Sequence, residues 1–198
     1  MLVFWKEKLA FMATPKTGST AYHEALRDRA DIAVADPTTL KHTTIQRYNR
    51  FFRPMFAVAG ADDIETLAVM REPIEWLGSW YRFRGRPFLN GNPNSTADMS
   101  FDEFALAYCQ GQRPSFAAVG SQAKFLTGPK GQDSVDHLFR YSDQAGLMAF
   151  LRDRLEVDFS LNQRNVSPKK ELSLNAKTER KLRRKLAAEY ELWDSLAD

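Results

Sequence analysis

The sequence predicts an α/β fold in one domain spanning 1–198, a central parallel sheet flanked by helices, and three observations carry that prediction. Short apolar runs near 9–13, 31–35, 66–71 and 135–141 alternate with segments of helical period, the pattern of strands laid parallel through crossover helices. The first run breaks into Pro15-Lys16-Thr17-Gly18-Ser19-Thr20, a polar turn that opens directly into a helical pattern. A length of 198 residues, 43% apolar and 27% charged, suits one globule with a proper core.

In chain order, the strand at 9–13 leads through that turn to a helix over 18–29, whose start needs no more than Gly18 and two hydroxyl residues. A short strand comes next near 31–35, then a polar helix around 43–52 and a weaker apolar segment near 55–59. Thr66-Leu-Ala-Val-Met-Arg71 is the clearest buried strand, and Pro73 sets the first turn of a helix over 73–83. Residues 84–100 are rich in Gly, Pro, Asn and Ser and form a surface loop. Phe101–Tyr108 is helical, a short helix spans 121–126, and the last strand, 135–141, precedes a helix over 143–155. At the C-terminus Leu182, Leu186, Tyr190, Trp193 and Leu196 recur at helical spacing, an amphipathic helix packed on the core.

Charge sets bounds on partners. The net charge is +3, but 164–185 holds nine lysines and arginines against Glu171 and Glu179, a local +7. Because the apolar stripe of the C-terminal helix accounts for its periodicity, the basic residues form its solvated face, and no nucleic-acid partner is expected. Cys109 is the only cysteine and the three histidines are scattered, so neither a disulfide nor a metal site is expected. The N-terminal apolar stretch is interrupted by Lys6-Glu7-Lys8 and no segment approaches the length of a membrane span; a cytoplasmic protein with no membrane span is the expectation.

The turn after the first strand has the chemistry of an anion cradle. Unpaired N–H groups at a helix start carry the positive end of the helix dipole, and Lys16, Ser19 and Thr20 add a cation and two hydroxyls. The order of residues disfavours an ordinary NTPase, whose G-x-x-x-x-G-K-[ST] loop puts lysine after the second glycine, whereas Lys16 here precedes Gly18. Arg71, at the end of an apolar strand, has the planar fork that suits bidentate phosphate binding, or could instead pair with Glu65 or Asp62. His42 sits in the polar segment between these loops, with a side chain that accepts a proton near neutral pH; Asp36, nearby, is the other candidate base. His23 and His137 fit packing or surface roles.

Pro15-Lys-Thr-Gly-Ser-Thr20 on a strand-to-helix turn resembles the 5′-phosphosulfate loop of the sulfotransferases that use 3′-phosphoadenosine 5′-phosphosulfate (PAPS). Arg71-Glu-Pro73 with Ser79 eight residues after the arginine is similar to that family's 3′-phosphate site. Lys41-His-Thr-Thr44 resembles the segment carrying a histidine base in some members, Phe139-Arg-Tyr-Ser142 the adenine-side strand end, and Arg164-Asn-Val-Ser-Pro-Lys169 a C-terminal loop over the nucleotide. The five segments stand in the family's order, closest to its carbohydrate-type branch.

The resemblance implies a P-loop-like phosphosulfate site made by Lys16, Thr17, Gly18, Ser19 and Thr20, and a 3′-phosphate site made by Arg71 and Ser79. Tyr141 would contact the adenine, with Trp76 or Trp80 as further stacking candidates, and Arg164 and Lys169 would close over the 3′-phosphate. Lys16 and His42 would be catalytic, PAPS the donor, and no metal is needed. The partners implied are this nucleotide and a carbohydrate or other small acceptor with a hydroxyl, less readily an amine. A non-catalytic nucleotide or sulfated-glycan binder is the alternative. Two departures from the family pattern stand out: Glu72 between Arg71 and Pro73, and Ser142 where an acid usually comes after the tyrosine, with Asp143 one position later.

Overall fold

The computed structural model describes residues 1–161 and 170–196. Its contacts group them into two compact units: the described parts of Met1–Arg71, Gln122–Arg164 and Leu196–Asp198 form one, and those of Glu72–Ser121 and Asn165–Ser195 the other.

The first unit is an α/β layer structure built on a five-stranded sheet. Its strands are β1 (Leu2–Phe4), β2 (Leu9–Phe11), β3 (Ile32–Ala33), β4 (Glu65–Met70) and β5 (His137–Arg140), in the order β3-β1-β2-β4-β5. The sheet is mixed, not purely parallel as the sequence suggested: β2–β4 and β4–β5 are parallel, whereas β1 runs antiparallel to both β2 and β3. Pairing through β1 turns β3 to the same direction as β2, so the four strands legible in the sequence do share one direction. The exception is β1, which the hairpin turn Trp5–Lys8 folds back onto β2; Lys8 adopts a left-handed φ of 53° there. A two-strand hairpin with a tight turn can only be antiparallel.

Alternation along the strands sorts the faces. Leu2, Phe4, Leu9, Phe11, Leu67 and Val69 point to one side and pack with Tyr22 and Leu26 of α1 (Ser19–Leu26). Leu147, Leu151 and Leu155, at i, i+4 and i+8 of a later helix, close the same core. The intervening residues Val3, Ala10, Ala68 and Met70 are buried as well, as expected of strands covered on both sides. Asp136 pins the start of β4, its Oδ2 accepting from the Thr66 backbone N–H at 2.6 Å and hydroxyl at 2.8 Å.

Between β3 and β4 the chain forms α2 (Thr38–Lys41), then α3 (Ile45–Arg47), a π-helical turn (Tyr48–Phe52) and α4 (Arg53–Val58), the last three in unbroken succession. The polar helix expected at 43–52 therefore continues through the apolar segment at 55–59. Pro54 falls where the π-helical turn gives way to α4, a point at which the regular ladder of the helix already changes. Two helices complete the unit's major elements, α7 (Gln122–Thr127) and α8 (Gln144–Leu155), which carries the three core leucines above.

The second unit is helical: α5 (Pro73–Arg84), α6 (Phe101–Tyr108), α9 (Ala176–Lys185) and α10 (Ala187–Asp194). Trp76, Leu77, Tyr81, Phe101, Phe104, Tyr108, Leu182 and Leu186 form its core. The single C-terminal helix expected from periodicity is two, broken at Leu186, which is fully buried. Gly78 on α5 faces the Leu172 side chain, which would have to shift to admit a Cβ there. No helix among the described residues is long and apolar enough to cross a membrane.

Candidate anion-binding site

The strand-to-helix turn is built as the sequence suggested. After β2, the Met12 N–H donates to Leu67 O at 2.7 Å, carrying the strand one step further along β4 before the chain turns. Lys16 and Gly18 both hold left-handed backbone, φ 66° and 75°. For glycine that region costs nothing, whereas for lysine it carries a modest cost, as it does for Lys8 in the hairpin turn. Gly18 is also fixed by packing: a Cβ there would stand 3.3 Å from Cε2 of Tyr141.

Hydroxyls tie the turn together. Thr17 Oγ1 and Ser19 Oγ donate to Thr14 O at 2.9 and 3.3 Å, holding the loop compact from within. Gly18 caps α1 with no side-chain bond, and the first turn of α1 has no acidic residue; apart from the Ala21 N–H, which donates to Gly18 O at 3.0 Å, that turn keeps the electropositive character of a helix start without a side-chain cap. By contrast Glu72, Ser100, Asp143 and Asn175 cap α5, α6, α8 and α9 with their own side chains. Thr14 is wholly buried, and its Oγ1 has no hydrogen-bond partner among the described residues.

Two more segments of the first unit converge on this turn. Tyr141, just beyond β5, lies beside Gly18, and the Arg71 guanidinium stacks over the Tyr141 ring at 4.7 Å. The backbone of Arg71 is clamped by Gln122, whose Oε1 accepts from the Arg71 N–H at 3.0 Å while its Nε2 donates to Arg71 O at 2.9 Å. Tyr141 O accepts from Gln144 Nε2 at 2.6 Å, and Gln144 Oε1 accepts from Tyr22 OH at 2.7 Å, tying the β5 end to α1. Glu65, one suggested partner of Arg71, bonds instead with His137 at 3.1 Å and Arg154 at 2.6 Å.

His42 comes to the base of the same turn: its Nδ1 lies 2.6 Å from Ala13 O. A carbonyl only accepts, so Nδ1 carries the proton and Nε2 is left with its lone pair. Burial pushes the imidazole below the ordinary histidine range, opposed by the Ala13 hydrogen bond and aided by the Lys41 charge. Lys41 Nζ is 3.5 Å from Thr20 Oγ1, placing a second cation at the first turn of α1.

The other residues singled out in the sequence lie elsewhere. Ser79 and the tryptophans belong to the second unit; Ser79 is buried in the second turn of α5, and Trp76 is a core side chain, 2% exposed, in edge contact with Trp80. Arg164 and Lys169 lie outside the described residues. Glu72 spends its carboxylate within its own unit, accepting from the Glu75 N–H and from Tyr190 OH, both at 2.7 Å. Asp143 likewise caps α8, its Oδ1 accepting from the Gly146 N–H at 2.9 Å.

Gln122 and Thr14 are what sequence reasoning missed. Gln122 is far from Arg71 in the chain, and only its complete burial marks it; Thr14 differs from the loop's other hydroxyls in nothing but its position. Among the described residues, no group of three His, Cys, Asp or Glu side chains is arranged to hold a metal ion. No protein-family model matches the chain, and no curated protein or solved structure matches it.

Proposed function

We propose that the chain is a PAPS-dependent sulfotransferase, moving a sulfuryl group to a hydroxyl of a carbohydrate or other small acceptor. The observation that carries the reading is convergence: the left-handed Lys16–Gly18 turn, the Arg71–Tyr141 stack and a neutral, oriented His42 come from separated stretches of sequence to one end of β2 and β4. Ligands of parallel α/β layers bind beyond the carboxyl ends of strands, where these residues stand. The buried Thr14 hydroxyl, unpartnered among the described residues, supports the reading, since such a group is costly unless something accepts or donates to it.

In this scheme the turn amides of Thr17 and Gly18, with Ser19 and Thr20, hold the phosphosulfate. Arg71 holds the 3′-phosphate and Tyr141 the base. Nε2 of His42 takes the acceptor's hydroxyl proton as the acceptor oxygen bonds to sulfur; the bond from sulfur to the bridging phosphate oxygen breaks. The Lys16 ammonium stabilises the charge that grows on that oxygen, which leaves as part of adenosine 3′,5′-bisphosphate. Ser79, Arg164 and Lys169 enter on the resemblance alone.

Titration calorimetry with adenosine 3′,5′-bisphosphate, AMP and ATP tests the donor site. The bisphosphate is expected to bind in clear preference to AMP, and Arg71→Ala to erase most of that preference. Equal binding of bisphosphate and AMP by the unmodified chain would remove the 3′-phosphate site, and with it the reading.

A further inference from the structure

Exposed apolar side chains are not scattered evenly over this protein. Of the six large hydrophobic residues that stand most exposed among the described residues, Leu40, Phe51, Met55 and Val58 fall in the α2–α4 stretch, at 45%, 58%, 53% and 92% exposure. Phe51, Met55 and Val58 recur at i, i+4 and i+7, one face of the helix that runs from the π-helical turn into α4. The π-helical turn contributes to this display, since its extra residue per turn rotates α4 relative to α3. The opposite side of the same stretch is fully committed: Ile45, Tyr48 and Phe56 are buried, and Tyr48 and Phe56 pack edge to face, with Trp5 against Phe56.

The stretch itself carries charge of one sign, and the carboxylate held against it, Asp133, accepts from Asn49 Nδ2 at 2.8 Å. From Pro37 to Ala61 there is no aspartate or glutamate, while Lys41, Arg47, Arg50 and Arg53 are all cationic; Asp36 and Asp62 bound the run. Arg47 and Arg50 are exposed or nearly so, and the Arg50 guanidinium lies over the ring of exposed Phe51 at 5.1 Å. Arg53 is occupied internally, donating to Asn49 Oδ1 and stacked on Tyr48.

We infer that this face, Arg47, Arg50, Phe51, Met55 and Val58, docks on an anionic lipid surface. Aliphatic and aromatic side chains on one helical face, flanked by cations and free of carboxylates, are what lies in a headgroup region: the apolar residues enter the acyl boundary and the arginines meet lipid phosphates. A nucleic acid would use the arginines but leave Met55 and Val58 in water. A second copy of the chain would bring arginine against arginine across a two-fold axis, a repulsion that no carboxylate within residues 37–61 offsets. The inference does not depend on the transferase reading.

Co-sedimentation of the full chain with vesicles tests it. The protein is expected to pellet with phosphatidylcholine vesicles containing about a quarter phosphatidylglycerol, to pellet poorly with phosphatidylcholine alone, and to release at about 0.5 M salt. The triple variant Phe51→Ser, Met55→Ser, Val58→Ser should lower partitioning at least tenfold, and so should Arg47→Glu with Arg50→Glu. These positions lie at the surface, and circular dichroism checks that each variant folds; should the triple variant fail to fold, Val58→Ser alone and the arginine pair carry the test. No pelleting of the unmodified chain with anionic vesicles, or pelleting that the folded variants retain, overturns the inference. So does a dimer that Val58→Ser dissociates in the absence of any vesicle binding, which would give the face to a second copy.

Discussion

His42 is defined by the nitrogen it has left over. With Nδ1 committed to Ala13 O and the ring pushed down by burial, Nε2 stays a free base at pH values where an ordinary histidine would already be charged. His42→Ala is expected to lower kcat by roughly 10²–10⁴-fold while leaving binding of adenosine 3′,5′-bisphosphate intact. The pH effect has a definite sign: a base must be unprotonated, its pKa is lowered, so the acid limb of kcat/KM should lie below the usual histidine value of about 6.5. Near-normal turnover in the variant would move the role to Asp36, and an acid limb above that value would rule out the lowered His42 imidazole as the base. Lys16 differs in kind, because the charge it answers exists mainly in the transition state; Lys16→Ala should lower kcat far more than it weakens PAPS binding. Gln122 belongs to neither group. It clamps the Arg71 backbone, and Gln122→Ala leaves a half-buried N–H and C=O to find new partners, which should cost about 1 kcal/mol of stability in denaturant titration. If its role is to position Arg71, the variant should also weaken bisphosphate binding more than AMP binding; equal weakening would make it structural alone.

At the scale of elements, α6 shows how fully a short sequence can specify its own start. Ser100 Oγ accepts from the Glu103 N–H at 3.2 Å while Glu103 Oε2 accepts from the Ser100 N–H at 2.7 Å, a reciprocal capping box. Ser100→Ala should therefore lower stability by about 1 kcal/mol in equilibrium unfolding, with Ser100→Asp losing much less. Elements of this kind are legible because their signals are local: the apolar run of β4, Pro73 and Ser100 at helix starts, Gly18 at the turn. The illegible ones are set at long range. Nothing in Leu2-Val3-Phe4 distinguishes a three-residue strand from any apolar stretch, and its pairing with Phe11 and Ala33 decides that the sheet is mixed. The Leu186 break is equally opaque, since a buried leucine fits the same helical spacing whether the helix bends there or not. The site divides the same way: Lys16–Thr20 is one contiguous turn, whereas the Gln122 clamp on Arg71 exists only once β4 and α7 are assembled.

At the scale of the whole molecule, the two compact units hold unequal shares of the candidate site residues. Lys16, His42, Arg71, Gln122 and Tyr141 all belong to the sheet-based unit, with its core of strand side chains under α1 and α8; Ser79 belongs to the helical unit. A ligand stabilises the state it binds in proportion to RT ln(1 + [L]/Kd), and native-state hydrogen exchange reads that gain segment by segment. Saturating adenosine 3′,5′-bisphosphate should therefore slow exchange in peptides covering 12–20, 66–71 and 137–144. The amides of α6, capped and packed within the helical unit, should be unchanged under conditions where exchange proceeds by local opening. The α5 peptide decides the role that the resemblance alone assigns. Added protection at 76–80 would bring Ser79 into the phosphate site, while unchanged exchange there, with full protection at Arg71, would leave the donor held by the sheet-based unit and Ser79 as a packing residue of its helix.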